Sequence, residues 1–127
     1  MFIEWDPKLE IGIAHIDEQH KAFVNCINSL YHAIEHNKGH KEVSFAINAL
    51  VEYAVVHFTA EQTLMEIKAD PNRYSHTQLH MDFQRKLGTF VRRILEGETD
   101  FAMEVATFAH EWLINHISTI DVQLKGL

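Results

Sequence analysis

The sequence predicts an all-α fold: an up-down-up-down antiparallel four-helix bundle with an irregular N-terminal arm and a short C-terminal tail. Three observations carry that prediction. Proline occurs only at Pro7 and Pro71, and glycine 5 times in 127 residues, so the punctuation that hairpins and sheets need is sparse. Between these breakers lie long stretches of helix formers with apolar residues at three- and four-residue intervals. The connections are short, which makes consecutive helices antiparallel neighbours. A chain of 127 residues fits one domain, 1–127, and buries a core without disulfides.

Residues 1–16 read as the arm, carrying Trp5, Leu9, Ile11, Ile13 and Ile16 inward. Asp17 is a good N-cap with Glu18 in the first turn, so helix one spans about 18–37 and Asn37-Lys38-Gly39 stops it. Helix two spans about 41–69, and Pro71 forbids its continuation. Ser75 caps helix three over about 76–95, before Glu96-Gly97. Thr99 or Asp100 caps helix four over about 100–117, and 118–127 form the tail.

Composition excludes several classes of function. A net charge of −7 argues against nucleic acid, which selects a basic face. The single Cys26 cannot form an internal disulfide, which favours a reducing compartment. The start, MFIEWDPKLE, has neither a basic nor an apolar leader segment, so the expected location is cytoplasmic. No uninterrupted apolar run approaches the ~18 residues of a membrane span. The unusual feature is histidine: there are 10 of them.

Helical periodicity sorts these histidines. On helix one, Phe23, Val24, Ile27, Tyr31 and Ile34 fall within about 60° of His20, which therefore points into the core. His32 and His36 form an HxxxH pair about 120° and 160° away, on the wet face, so they do not join an internal site. On helix two, Leu50, Tyr53, Glu61 and Leu64 lie within about 40° of His57, so a carboxylate sits in the apolar stripe beside a histidine. On helix three, His76, Phe83, Leu87, Val91 and Ile94 share the face of His80. On helix four, Val105, Ala109 and Trp112 share that of His116.

Five inward histidines and one inward glutamate, drawn from all four helices, are costly to bury unpaired. Alternating helix direction brings their four helix ends to one end of the bundle. Neutral imidazole is the commonest metal ligand, so the pattern predicts metal binding. Asp121 has two readings. On a continuous helix it lies about 140° from His116 and caps a terminal turn. If the helix breaks at Ser118-Thr119, it swings back over the bundle end instead.

The arm with Trp5, and then IDEQH (Ile16–His20), HFTAEQTLM (His57–Met65), HTQLH (His76–His80) and WLINHISTID (Trp112–Asp121), resemble the hemerythrins, in particular the single-domain bacterial hemerythrins. The resemblance spans nearly the whole chain, and the motifs occur in the family's order and spacing. It implies two non-haem iron ions per chain. His76, His80 and His116 hold one, His20 and His57 the other, and Glu61 and Asp121 bridge them alongside a solvent-derived oxo or hydroxo group. The two-histidine iron keeps an open position for O2. The resemblance also implies an apolar O2 pocket of Phe58, Met65, Trp112, Leu113 and Ile117, and it selects the second reading of Asp121. Gln62 stands where many bacterial members carry a second glutamate.

The expectation is an O2 carrier rather than an enzyme: a monomer that stores, transports or delivers O2, with an oxygenase or oxidase as recipient. The alternatives are O2 or NO sensing, di-iron redox activity on NO, peroxide or ferrous iron, iron storage, and a regulatory partner switch. A structural zinc takes four ligands, so seven donors at one place fit two bridged metals better. Glu18, Gln19, Gln62 and Gln84 are candidates to orient the ligands. His15, His32, His36, His40 and His110 are expected in solvent, Cys26 at the core boundary, and Trp5 as packing for the arm.

Overall fold

A computed structural model of the chain describes residues 3–98 and 101–126. Four helices make the bundle: α1 (Ala14–Glu35), α2 (His40–Ile67), α3 (Arg73–Leu95) and α4 (Ala102–Thr119). Short 3-10 turns occupy Pro7–Leu9 in the arm and Asp121–Gly126 in the tail. Helix α1 packs on α2 and α4, and α3 packs on the same two, which closes the ring. Phe23, Ile27, Tyr31, Ile47, Leu50, Phe58, Phe83, Leu87, Val105 and Leu113 fill its centre.

Three helices stop by the same device. At Asn37, Ala69 and Gly97 the backbone turns left-handed, at φ 49°, 52° and 100°. The amide three residues past each helix then donates to a carbonyl inside the last turn: Lys38 to Ala33, Asp70 to Met65 and Glu98 to Arg93, at 3.0, 2.9 and 3.1 Å. These are Schellman caps, which satisfy carbonyls the helix end would otherwise leave free. Helix α2 thus stops at Ile67, short of Pro71, because the chain reverses at Ala69.

The helix starts correct the sequence reading. Helix α1 begins at Ala14, and Asp17 is not its N-cap. The Asp17 carboxylate reaches back to accept the amides of Ile11 (2.8 Å) and Gly12 (3.1 Å), and Gly12 takes φ 86° to present its amide. Asp17 therefore caps the arm from inside the helix. Asn28 fixes the other end of the arm: Ile3 N–H donates to its side-chain oxygen (2.7 Å), and its amide donates to Ile3 C=O (2.9 Å). Trp5 packs half-buried between these two anchors, as expected.

Helix α3 begins at Arg73 rather than 76. The Asp70 carboxylate accepts Asn72 N–H (2.9 Å) and the Asp70 carbonyl accepts Arg73 N–H (3.2 Å), so a turn through Pro71 starts the helix early. Ser75 donates to the Asn72 carbonyl from within the first turn. The Thr99/Asp100 cap expected for helix four lies outside the described residues.

Helix α4 runs to Thr119 instead of breaking at Ser118-Thr119. Both hydroxyls bond back to carbonyls four residues earlier, Ser118 to Ile114 and Thr119 to Asn115, each at 2.8 Å. The break falls at Ile120, and Asp121 opens the 3-10 turn.

Helix α2 is long and apolar enough, by length and composition alone, to cross a membrane, although charged residues interrupt every apolar run in it, as expected. Its His57/Glu61 face is buried, and it packs on α1 and α3 as a core helix does.

Ala69 is exposed and holds a left-handed conformation that disfavours a Cβ, so Ala69→Gly is expected to stabilise the fold by about 1 kcal/mol. Thermal unfolding is then expected to shift upward by about 2–6 °C. A lower midpoint would show that the turn at Ala69 is not what ends α2.

Candidate metal centre

All seven residues singled out by periodicity and resemblance meet at one end of the bundle. His20 lies in the second turn of α1, His57 and Glu61 one turn apart on α2, and His76 and His80 one turn apart on α3. His116 lies in the last turn of α4, and Asp121 just past the break. Helix spacing of four residues places both members of a pair on one face. The antiparallel order then aims four faces at one point.

The donor atoms form two groups that share Asp121. One holds His76, His80, His116 and Asp121, the other His20, His57, Glu61 and Asp121, and all seven residues are buried. Asp121 stands between the groups. Its Oδ1 lies 2.9 Å from His76 Nε2 and 3.0 Å from His116 Nε2, while Oδ2 lies 3.0 Å from His20 Nε2. Glu61 straddles the groups too: Oε1 touches His57 Nε2, and Oε2 lies 3.7 Å from His76 Nε2.

A cation fits this arrangement better than hydrogen bonding does. His116 Nε2 lies 3.1 Å from His76 Nε2 and 3.2 Å from His80 Nε2, so three ring nitrogens point at one another. Adjacent corners of a coordination sphere with bonds of about 2.1 Å stand about 3 Å apart. Among the described residues, His20 Nε2, His57 Nε2, both Glu61 oxygens and both Asp121 oxygens are buried without a hydrogen-bond partner. Native cores rarely leave such atoms unpaired.

Charge follows the same grouping. Burial disfavours a charge on His20, but the facing Asp121 and Glu61 carboxylates outweigh it and raise the imidazole to about 9. Burial, then the neighbouring His76 and His116, push His80 down to about 2, so it stays neutral with a free lone pair. Burial alone would raise Asp121. Its contacts with His116, His20 and His76 win and hold it well below the usual carboxylate range.

The walls are aromatic. Phe58 stacks on His80 (4.0 Å between centroids, 7° between planes) and half-buried Trp112 stacks on His116 (4.3 Å, 12°). Phe58, Met65, Leu113 and Ile117 are fully buried: Met65 lies one turn beyond Glu61, and Leu113 and Ile117 flank His116. Phe23 and Phe83 complete the wall, edge-on to His57 (5.9 Å) and stacked on Trp112 (4.2 Å). The sequence reading put both in the core without linking them to the site. The available signal was spacing, because each follows a site histidine by three residues.

Of the four residues expected to orient ligands, Gln19 does so: its Oε1 accepts from His57 Nδ1 at 3.0 Å, which turns Nε2 toward Glu61. Glu18 instead pairs with Lys21 at the surface, and Gln62 and Gln84 are half-buried. His15, His32, His36 and His40 are exposed as expected. His110 is not: it is half-buried and hydrogen-bonds the Tyr31 hydroxyl at 3.2 Å, because the fully buried Tyr31 ring carries its hydroxyl across the core to α4. Cys26 sits half-buried at the core boundary, and burial pushes its thiol pKa up.

Comparisons with known proteins agree with this geometry. The family described as the hemerythrin HHE cation binding domain matches residues 11–127. A bacteriohemerythrin of Pseudomonas aeruginosa (strain UCBPP-PA14) is 36% identical over 117 residues, covering 92% of this chain and 75% of its own. A myohemerythrin of Theromyzon tessulatum is 29% identical, covering 97% and 91%. The solved structure of a wild-type hemerythrin has a TM-score of 0.89 at 24% identity and covers 97% of this chain and 95% of its own, which shows the shared fold.

Two outcomes follow. The raised His20 stabilises the metal-free fold fully below pH 6.5, and that contribution is lost as pH rises through about 9. A metal taking that nitrogen displaces its proton, so affinity is expected to rise with pH across this window and uptake at pH 7 to release at least one proton. Calorimetry in two buffers of different ionisation enthalpy counts the proton, and zero release would contradict the assignment of His20. Separately, Gln19→Leu is expected to weaken metal binding about 10- to 100-fold without unfolding the chain. Unchanged affinity in a competition titration would remove Gln19 from the site.

Proposed function

We propose that this chain, which belongs to the hemerythrin family, binds O2 reversibly at a non-haem di-iron centre and acts as a carrier rather than an enzyme. The observation that carries the reading is the division of the donors. Three histidines gather on one side of Asp121 and two histidines with Glu61 on the other, with Glu61 Oε2 reaching to 3.7 Å from His76 Nε2. In this assignment His76, His80 and His116 would hold one iron and His20 and His57 the second, with Glu61 and Asp121 supplying carboxylate oxygens to the pair. The second iron then lacks one protein donor, and that position is where O2 would bind. When bound, the iron pair supplies the electrons that O2 binding draws on.

The chain's residues account for reversibility. Five imidazoles against two carboxylates provide little of the anionic charge that carboxylate-rich di-iron oxidases supply to high-valent iron. Phe58, Met65, Leu113 and Ile117 exclude water, and Trp112 covers His116, so protons have poor access to the bound ligand. Gln19 holds His57 in the tautomer that leaves Nε2 free. Storage, transport, or delivery to an oxygenase or oxidase inside a reducing bacterial cell fits a carrier of this kind.

The test is optical. The iron-loaded protein, reduced without air and then given O2, is expected to develop a visible charge-transfer band that disappears when O2 is removed and returns on re-addition. Immediate bleaching to a ferric spectrum, or steady consumption of O2, would replace the carrier with a redox enzyme.

A further inference from the structure

We infer that the two metals enter through a cleft between the start of α3 and the C-terminal 3-10 turn. This rests on the metal-binding reading above. The cleft has a volume of about 300 Å³ and is lined by Asn72, Ser75, His76, Leu79, Ile120 and Gln123. Its distinguishing feature is His76, a residue of the centre itself. The larger groove between α1 and α2 and the cleft between α2 and α3 are lined by none of the seven. Exposure agrees: His76 and His116 retain 4% and 3% of their surface, while His20, His57, Glu61, His80 and Asp121 retain none.

The lining suits a hydrated divalent cation. Asn72, Ser75 and Gln123 line it with neutral oxygen donors, which exchange readily with the waters of such an ion. The hydrogens of two of them are committed elsewhere. Ser75 Oγ–H donates to the Asn72 carbonyl (3.0 Å), and the Gln123 amide donates to the Thr119 carbonyl (2.9 Å), so each keeps oxygen lone pairs for a passing ion. Leu79 and Ile120 form the apolar sides. Beyond His76 lie Asp121 Oδ1 at 2.9 Å and His116 Nε2 at 3.1 Å, so an ion at His76 meets two further donors at once. The three-histidine group is therefore the first to fill.

The wall opposite α3 is the element that carries Asp121. Within Asp121–Gly126, Asp121 and Leu124 are the buried residues that anchor this wall.

Uptake kinetics of Co(II) by the metal-free full-length chain, followed by the visible absorption of the bound ion, test this. Ser75→Trp places a bulky ring in the cleft from an exposed position, and Gln123→Trp does so from the other wall. Gln78→Trp, in the α2–α3 cleft, is the matched control. Both cleft variants are expected to load at least tenfold more slowly than the parent, to the same final stoichiometry, with the control at the parental rate. Should one cleft variant fail to fold, the other decides. Parental rates in the cleft variants, or equal slowing in the control, would overturn the route while leaving the metal centre intact. A parent that binds no Co(II) at all would overturn both.

Discussion

The rest of the structure depends on one constraint: two carboxylates and five imidazoles are sealed in an apolar core where hydrogen bonding leaves both carboxylates and the Nε2 atoms of His20 and His57 unsatisfied. Glu61 and Asp121 are fully buried, and none of their side-chain oxygens has a hydrogen-bond partner among the described residues. Burying ionised groups without compensation is too costly for a fold of ordinary stability. Positive charge at the centre of the cluster removes that penalty. A metal held here would therefore link binding to folding at this end of the bundle and contribute its binding energy to the fold.

The architecture delivers seven side chains to that point with few devices. Pairs four residues apart give α2 and α3 two donors each on one face. Schellman turns at Asn37, Ala69 and Gly97 end three helices abruptly, which keeps the connections short and the neighbours antiparallel. The fourth helix needs a different ending. A continuous α4 would carry Asp121 about 140° away from His116. The hydroxyls of Ser118 and Thr119 bond back to carbonyls of the last turn, the break comes at Ile120, and the 3-10 turn brings Asp121 back between the two groups. The last carboxylate of the centre thus depends on a change of helix type within two residues.

Which helices form, and which side chains face inward, could be read from the sequence because both follow from periodicity and breakers. His20, His57, Glu61, His76, His80 and His116 could be placed on stripes before any coordinates. Asp121 could not, because its position depends on where a helix breaks, and resemblance rather than spacing decided it. Helix starts were misread where a polar side chain reaches backward. Asp17 and Ser75 are favourable N-cap residue types, yet each bonds from inside a first turn, and the chain before them sets the start. His110 was assigned to solvent by its angle on α4, but its partner Tyr31 is 79 residues away, and such a pairing has no local signature. Gln19 was one of four equal candidates until the His57 ring orientation singled it out.

The central claim is that these residues hold two metal ions rather than a proton-sharing network. Anomalous X-ray scattering at the iron edge, from crystals of the iron-loaded chain, tests it most directly. Two adjacent iron peaks are expected on either side of Asp121, one against His76, His80 and His116 and the other against His20 and His57. A single peak, or iron only at exposed histidines such as His32 and His36, would contradict it.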